Sequence, residues 1–270
     1  PAWPRAEDRF QALDPAELEH CRADAWVLAV PNGAAAKWAK AIGDLDPAAV
    51  ILDLSADHRF DPAWAYGLPE ACRERIAGTR RIANPGCYAT GALLGLLPLQ
   101  GRLAAPPVVY GISGYSGAGR TPGPRNDPQR LRDNLMPYTL AGHVHELEIS
   151  HHLGSEVRFM PHVAAFFRGI SLTIAVELAA PAQADELLAR YQDHYVGERL
   201  LRVQAAIPEI RDVRGGPEIH LGGFTVDARD ARRVTLVAVL DNLGKGAASQ
   251  ALQNLNLALG LPEYEGIVDD

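Results

Sequence analysis

DAWVLAVPNGAAAKWAKAIGDLDPAAVILDLSADHRF, Asp24 to Phe60, holds two short apolar runs on either side of an alanine-rich one. The first run ends in Pro31-Asn32-Gly33, a turn signal, and reads as a short buried strand. Ala34 to Leu45 has helix composition, and Val50 to Leu54 is a second buried strand running into a polar loop. Strand, helix and strand in that order predict a parallel sheet with a right-handed crossover. Downstream, RRIAN reads as a weaker third strand, and YATGALLGLLPL as a buried helix stopped near Pro98. From Pro106 the pattern changes. PPVVYGISGYSGAGR is a strand running into a Gly/Ser loop, and Arg120 to Pro137 reads as an irregular functional loop. EVRFMPHV and GISLTIAVEL alternate like antiparallel strands. AQADELLARYQDHYV reads as an amphipathic helix, HLGGFTVDA and RRVTLVAVLDNLG as strands, and GKGAASQALQNLNLALG as a long closing helix with a Gly stop. The expected fold is therefore α/β: a Rossmann-like parallel-sheet nucleotide-binding domain, then an α+β domain with a mixed, partly antiparallel sheet. The last helix is expected to return to the first domain.

The 270 residues are enough for one large or two ordinary domains. Hydrophobic residues make up 47 % and charged residues 22 %, ordinary for a chain that buries a sizeable core. The net charge of −7 gives no reason to expect a nucleic-acid partner, and no apolar run reaches the roughly 20 residues of a membrane span. Three cysteines, Cys21, Cys72 and Cys87, are too few and odd in number for a disulfide framework. They point to a reducing cytoplasm.

Cys87 follows Asn84-Pro85-Gly86 and opens the small-residue helix. Pro85 ends the strand, and Gly86 allows a tight turn. A thiol at the first turn of a helix meets free N–H groups that favour the thiolate and can stabilise an oxyanion. A buried, inert cysteine accounts for Cys21 and Cys72 but poorly for this placement. The proton partner is sought in YTLAGHVHELEISHH, Tyr138 to His152. His143, in a loop or at a strand start, reads as a general acid/base. His143 and His145 also fit two metal ligands on one strand face, while His151 and His152 read as polar surface. Ser113 to Arg120 forms a loop of small residues that exposes backbone N–H groups. Arg168 is either a substrate anchor or an ordinary ion-pair partner. Asp241 to Ser249 repeats the strand, Gly-rich turn and helix pattern without being a Walker loop.

The stretches LDLSADHRF, YGLPE, ANPGCYAT, SGYSGAGR and GHVHELEI, extended by PHVAAFFRGI and DNLGKGAASQALQN, resemble the N-acetyl-γ-glutamyl-phosphate reductases. These are NADPH-dependent enzymes of arginine biosynthesis. The resemblance runs from Asp24 to Leu261. It implies a catalytic cysteine at Cys87 and an acid/base histidine at His143. Tyr138, His145, Glu148, Arg120 and Arg168 are expected around the substrate, His145 and Glu148 in support. Ser113, Gly114, Gly117, Ala118, Gly119 and Asn242 are expected near NADPH or NADP. It further implies an NADP-binding domain over residues 1–86 and 244–270, a catalytic and dimerisation domain over 87–243, a small-molecule substrate and a homodimer or homotetramer. No metal is expected. The family's opening strand and G-x-x-G-Y-x-G loop have no counterpart, so an N-terminally shortened chain is expected. Glu146-Leu147-Glu148 replaces a common Thr-Pro-Glu. An aspartate-semialdehyde dehydrogenase-like enzyme, a His-x-His metal-dependent hydrolase and a catalytically dead fragment are the rival readings.

Overall fold

The computed structural model describes residues 13–21, 23–119 and 121–268. The opening unit is β1 (Ala25–Leu28), α1 (Ala35–Leu45) and β2 (Val50–Asp53), with β1 and β2 parallel. β2 is buried along its whole length because it is covered on both faces. Ile51 packs with Ala35, Ala39 and Ile42 of α1. Val50 and Leu52 face the other way, onto Ile76 and Ala251. Two short strands that the sequence reading left unassigned or marked weak complete this sheet: β3 (Ala65–Tyr66) and β4 (Arg81–Ala83). Between them lies α2 (Pro69–Ala77), also unassigned from sequence. The sheet order is β1-β2-β4-β3, parallel throughout.

α3 (Cys87–Leu96) leaves this sheet and lies on a second one. Gly91 and Gly95 let it pack onto the Leu172 and Ile174 side chains, which a Cβ at either position would strike. The second sheet has seven strands: β5 (Val108–Gly114), β6 (Leu135–Pro137), β7 (Arg158–Ala164), β8 (Ile170–Glu177), β9 (Leu201–Val203), β10 (Ile219–Asp227) and β11 (Asp230–Leu240). Their order is β6-β7-β5-β8-β11-β10-β9. β7 and β8, which alternate like an antiparallel pair, do run oppositely. They are not neighbours, because β5 lies between them, parallel to β7 and antiparallel to β8. The short α4 (Pro128–Leu131) precedes β6, and α5 (Val144–Leu153), α6 (Ala184–His194) and the short α7 (Ile210–Val213) complete the helices of this half. One face of the sheet carries Phe159, Leu172, Ile174, Leu221 and Leu236, which bury against Leu93 and Leu96 of α3 and Leu187 and Tyr191 of α6.

The chain closes with a π-helical turn, Gly244–Ala248, followed by α8 (Ser249–Leu259). α8 places Ala251 against β2 and β4 of the small sheet, and Gly260 ends it at φ 68°. Lys245, fully buried, pairs with Glu70 of α2 at 2.6 Å and donates to Gln253 at 2.8 Å. Gln250 donates to Thr90 of α3. The two sheets are thus stitched together at the start of α3.

Candidate active site

Cys87 is the first residue of α3, directly after the end of β4. The glycine before it is there for space, not for its backbone. Gly86 has an ordinary φ of −70°, but a Cβ there would strike His145 Nε2 and Arg59 Nη1. Gly86 donates its N–H to Glu148 Oε1 at 2.9 Å. Glu148 also accepts from Tyr66 at 2.8 Å and from Arg59 Nη1 at 2.9 Å. Its carboxylate is fully buried and engaged with three protein donors. Glu148 is thus tied to the turn that carries Cys87, in keeping with the supporting place expected for it, and it is not among the residues that line the cleft described next. Arg59 adds bonds to the Asn84 and Leu54 carbonyls. Sequence reasoning passed over Arg59 and Tyr66, although both sit in the quoted LDLSADHRF and YGLPE stretches.

Cys87, Tyr88, Ser113, Gly114, Gly117, Ala118, Tyr138, His143 and His145 line one small cleft, together with Arg125 and Val163. Burial pushes the Cys87 thiol up to about 11, against the downward pull of Arg59 and of the N–H groups of Tyr88 and Cys87. The helix start acts in the expected direction, and desolvation acts against it more strongly.

His143 and His145 do not share a strand face. His143 is the N-cap of α5, and its Nδ1 accepts the His145 N–H at 3.1 Å. A ring held this way carries its neutral proton on Nε2. Burial, then Arg125, keeps His143 below its ordinary value, with Glu146 opposing. His145 is driven well below by burial, Arg59 and His143, and its buried Nδ1 has no protein partner. Tyr138 lies edge-on to His143, with ring centroids 5.6 Å apart. Thr139, which follows it, is held at φ 41°, a strained conformation for a β-branched residue.

The Ser113-to-Gly119 loop folds onto the turn before β8: Gly114, Tyr115 and Ser116 donate to the carbonyls of Gly169, Phe166 and Phe167. A Cβ on Gly114 would meet the Phe167 carbonyl at 2.6 Å. Asn242 is buried, accepting from Gly169 N–H at 2.7 Å and donating to Ser116 at 2.8 Å. It organises the loop from within. Arg168 pairs through Nε with the buried Asp241 at 2.5 Å. Although burial pushes Asp241 up, Arg168 and the N–H groups of Gly215 and Leu243 hold it below the usual carboxylate range. Of the two sequence readings of Arg168, the ion pair is the one observed. Arg120 lies outside the described residues. No described helix is long and apolar enough to cross a membrane.

Two family models match the chain: "Semialdehyde dehydrogenase, NAD binding domain" over residues 4–79 and "Semialdehyde dehydrogenase, dimerisation domain" over residues 87–242. The N-acetyl-gamma-glutamyl-phosphate reductase of Xanthomonas campestris pv. campestris (strain B100) is 49 % identical over 263 residues, 97 % of this chain and 83 % of that protein. The enzyme of the same name from Xylella fastidiosa (strain 9a5c) is also 49 % identical, over 97 % of this chain and 79 % of its own length. Among solved structures, aspartate semialdehyde dehydrogenase II from Vibrio cholerae, complexed with ASA, superposes with a TM-score of 0.71 over 86 % of this chain and 78 % of that one. At 21 % identity, that likeness speaks to the fold alone. With both family models matched and half of its residues shared along nearly all its length, the chain belongs to the N-acetyl-gamma-glutamyl-phosphate reductases, oxidoreductases of the semialdehyde dehydrogenase family.

Proposed function

We propose that this chain reduces N-acetyl-L-glutamyl 5-phosphate to N-acetyl-L-glutamate 5-semialdehyde and phosphate through a thioester on Cys87, with NADPH as cofactor, in arginine biosynthesis. The observation that carries the reading is the convergence of Cys87, His143, Tyr138 and the 113–118 loop on one cleft. Residues 1–86 and 244–270 form the nucleotide-binding part in this reading, and 87–243 the catalytic part. The cofactor's ring fits the wall made by Ser113, Gly114, Gly117 and Ala118, which carries nothing larger than a hydroxymethyl group beside Cys87. Bound there, a nicotinamide supplies hydride to the acyl carbon.

Cys87 sulfur forms a bond to the acyl carbon as the carbon–oxygen bond to phosphate breaks, and the departing phosphate takes up the thiol proton. After reduction the carbon–sulfur bond breaks. The aldehyde leaves, and the sulfur regains a proton from solvent. Sulfur suits both steps because it attacks well and leaves well. The oxygen of the reacting carbonyl gathers negative charge in each step. His143, with its proton set on Nε2 by the His145 N–H, donates a hydrogen bond there, as do the N–H groups at the start of α3. Glu148, Arg59 and Gly86 hold the nucleophile turn still, so the sulfur meets the carbonyl in one geometry.

The test is a substrate panel followed by NADPH oxidation. N-acetyl-γ-glutamyl phosphate should be turned over and aspartyl phosphate should not, and Cys87→Ser should lose turnover while unfolding normally. Preference for aspartyl phosphate, or near-normal turnover by the serine variant, would overturn the reading.

A further inference from the structure

The substrate of this reading carries two anionic ends, so its cleft needs a cation, and most arginines nearby are already committed. Arg59 is tied to Glu148, Asn84 and Leu54, and Arg168 to Asp241. Among the described residues lining the cleft, Arg125 carries the one guanidinium or ammonium group. It is exposed, and its guanidinium carbon lies over the Tyr138 ring, 4.8 Å from the centroid. A surface arginine is ordinarily mobile, but this one is held by a local knot. The adjacent Asn126 donates to the carbonyls of Gly119 and Thr121 at 2.9 and 2.8 Å and accepts from Gly123 N–H at 2.8 Å. Asp127 caps α4 by accepting from the Gln129 and Arg130 N–H groups. The Asn126 and Asp127 bonds therefore hold the backbone that follows Arg125 in place. Tyr138 is fixed in turn by pairing of its N–H with Pro161 in β7.

We propose that Arg125 is the phosphate anchor of the cleft: its planar fork holds the phosphoryl group of the acyl phosphate before attack and the inorganic phosphate after it. The proposal rests on the reading of the cleft as an acyl-phosphate site. Phosphate is favoured over the substrate's α-carboxylate by distance along the substrate. The phosphoryl group hangs directly on the carbon that Cys87 attacks, and Arg125 shares a cleft wall with Cys87 and His143. The α-carboxylate lies at the far end of the chain. A guanidinium takes two phosphate oxygens at once, and the contact with the Tyr138 ring keeps it beside the cleft.

Two measurements test it. In the reverse direction, with semialdehyde, NADP and inorganic phosphate, Arg125→Met should raise the phosphate KM about 10- to 100-fold. The semialdehyde KM should stay within about 3-fold, and Arg125→Lys should recover part of the loss, since a point charge replaces a fork. An unchanged phosphate KM, or a loss carried by the semialdehyde KM, overturns the assignment. Separately, inorganic phosphate alone should slow alkylation of Cys87 in the unsubstituted protein, and Arg125→Met should raise the half-protecting concentration at least about 10-fold. Protection that is absent, or unaltered by the substitution, also overturns it. Protection lost on substitution in a protein that fails to turn over the glutamyl substrate would sustain Arg125 as a phosphate site and overturn the substrate reading instead.

Discussion

At Cys87 two effects compete, and burial wins. The N–H groups at the start of α3 and the Arg59 charge both favour the thiolate, yet the sulfur is enclosed well enough to be pushed up to about 11. Alkylation of the free protein by iodoacetamide should therefore accelerate steadily from pH 7 to pH 10. A rate that levels off near pH 7 would mean a preformed thiolate. The place of Cys87 at the start of a helix was legible in the sequence from its position after Asn84-Pro85-Gly86. The reason for Gly86 was not. Its φ is ordinary, and what forbids a side chain is the His145 ring and the Arg59 guanidinium. Both come from stretches far off in the sequence.

The element that joins these parts is α5. His143 caps it, Glu146 reaches back to Gly142 N–H at 2.9 Å and across to Phe159 N–H at 2.8 Å, and Glu148 braces β3, α3 and the Arg59 loop. Its helical nature was hidden because its pattern runs against expectation. Leu147 is exposed, while Glu148 is buried beside Ile149. A sequence reading that looks for apolar residues inside finds neither face. Glu148→Ala strips the partner from a buried guanidinium and leaves the Tyr66 hydroxyl and the Gly86 N–H unmatched. It should cost about 3–5 kcal/mol of stability in denaturant unfolding. A loss under about 1 kcal/mol would show that the cluster contributes little to the folded state. The β-α-β opening was legible because β2 is covered on both faces and so reads as one apolar run. β3 is only two residues long, too short to carry a pattern of its own.

For the whole molecule, the second sheet presents one covered face and one open one. Tyr110, Ile112, Thr173, Ala175, Thr235 and Val237 share the open side in register, half-buried or exposed and without a formal charge among them. The family's dimerisation-domain model spans this sheet. Flanked at one end by Arg233, Glu177 and Arg158, this uncharged middle of the sheet face fits a second copy of the chain. Thr173→Arg should convert the oligomer to monomer in sedimentation with little change in unfolding midpoint. An unchanged sedimentation coefficient would move the interface elsewhere.

The same architecture brings the end of β4, the start of α3, the N-cap of α5 and the 113–119 loop to one point, and the chemistry proposed there has a direct readout. In the absence of any nicotinamide, acyl phosphate mixed with the protein should release a burst of inorganic phosphate close to one per active site. Peptide mass spectrometry should find an N-acetylglutamyl group on Cys87. Phosphate release without a burst, with Cys87 unmodified or with the adduct on another residue, would contradict the account.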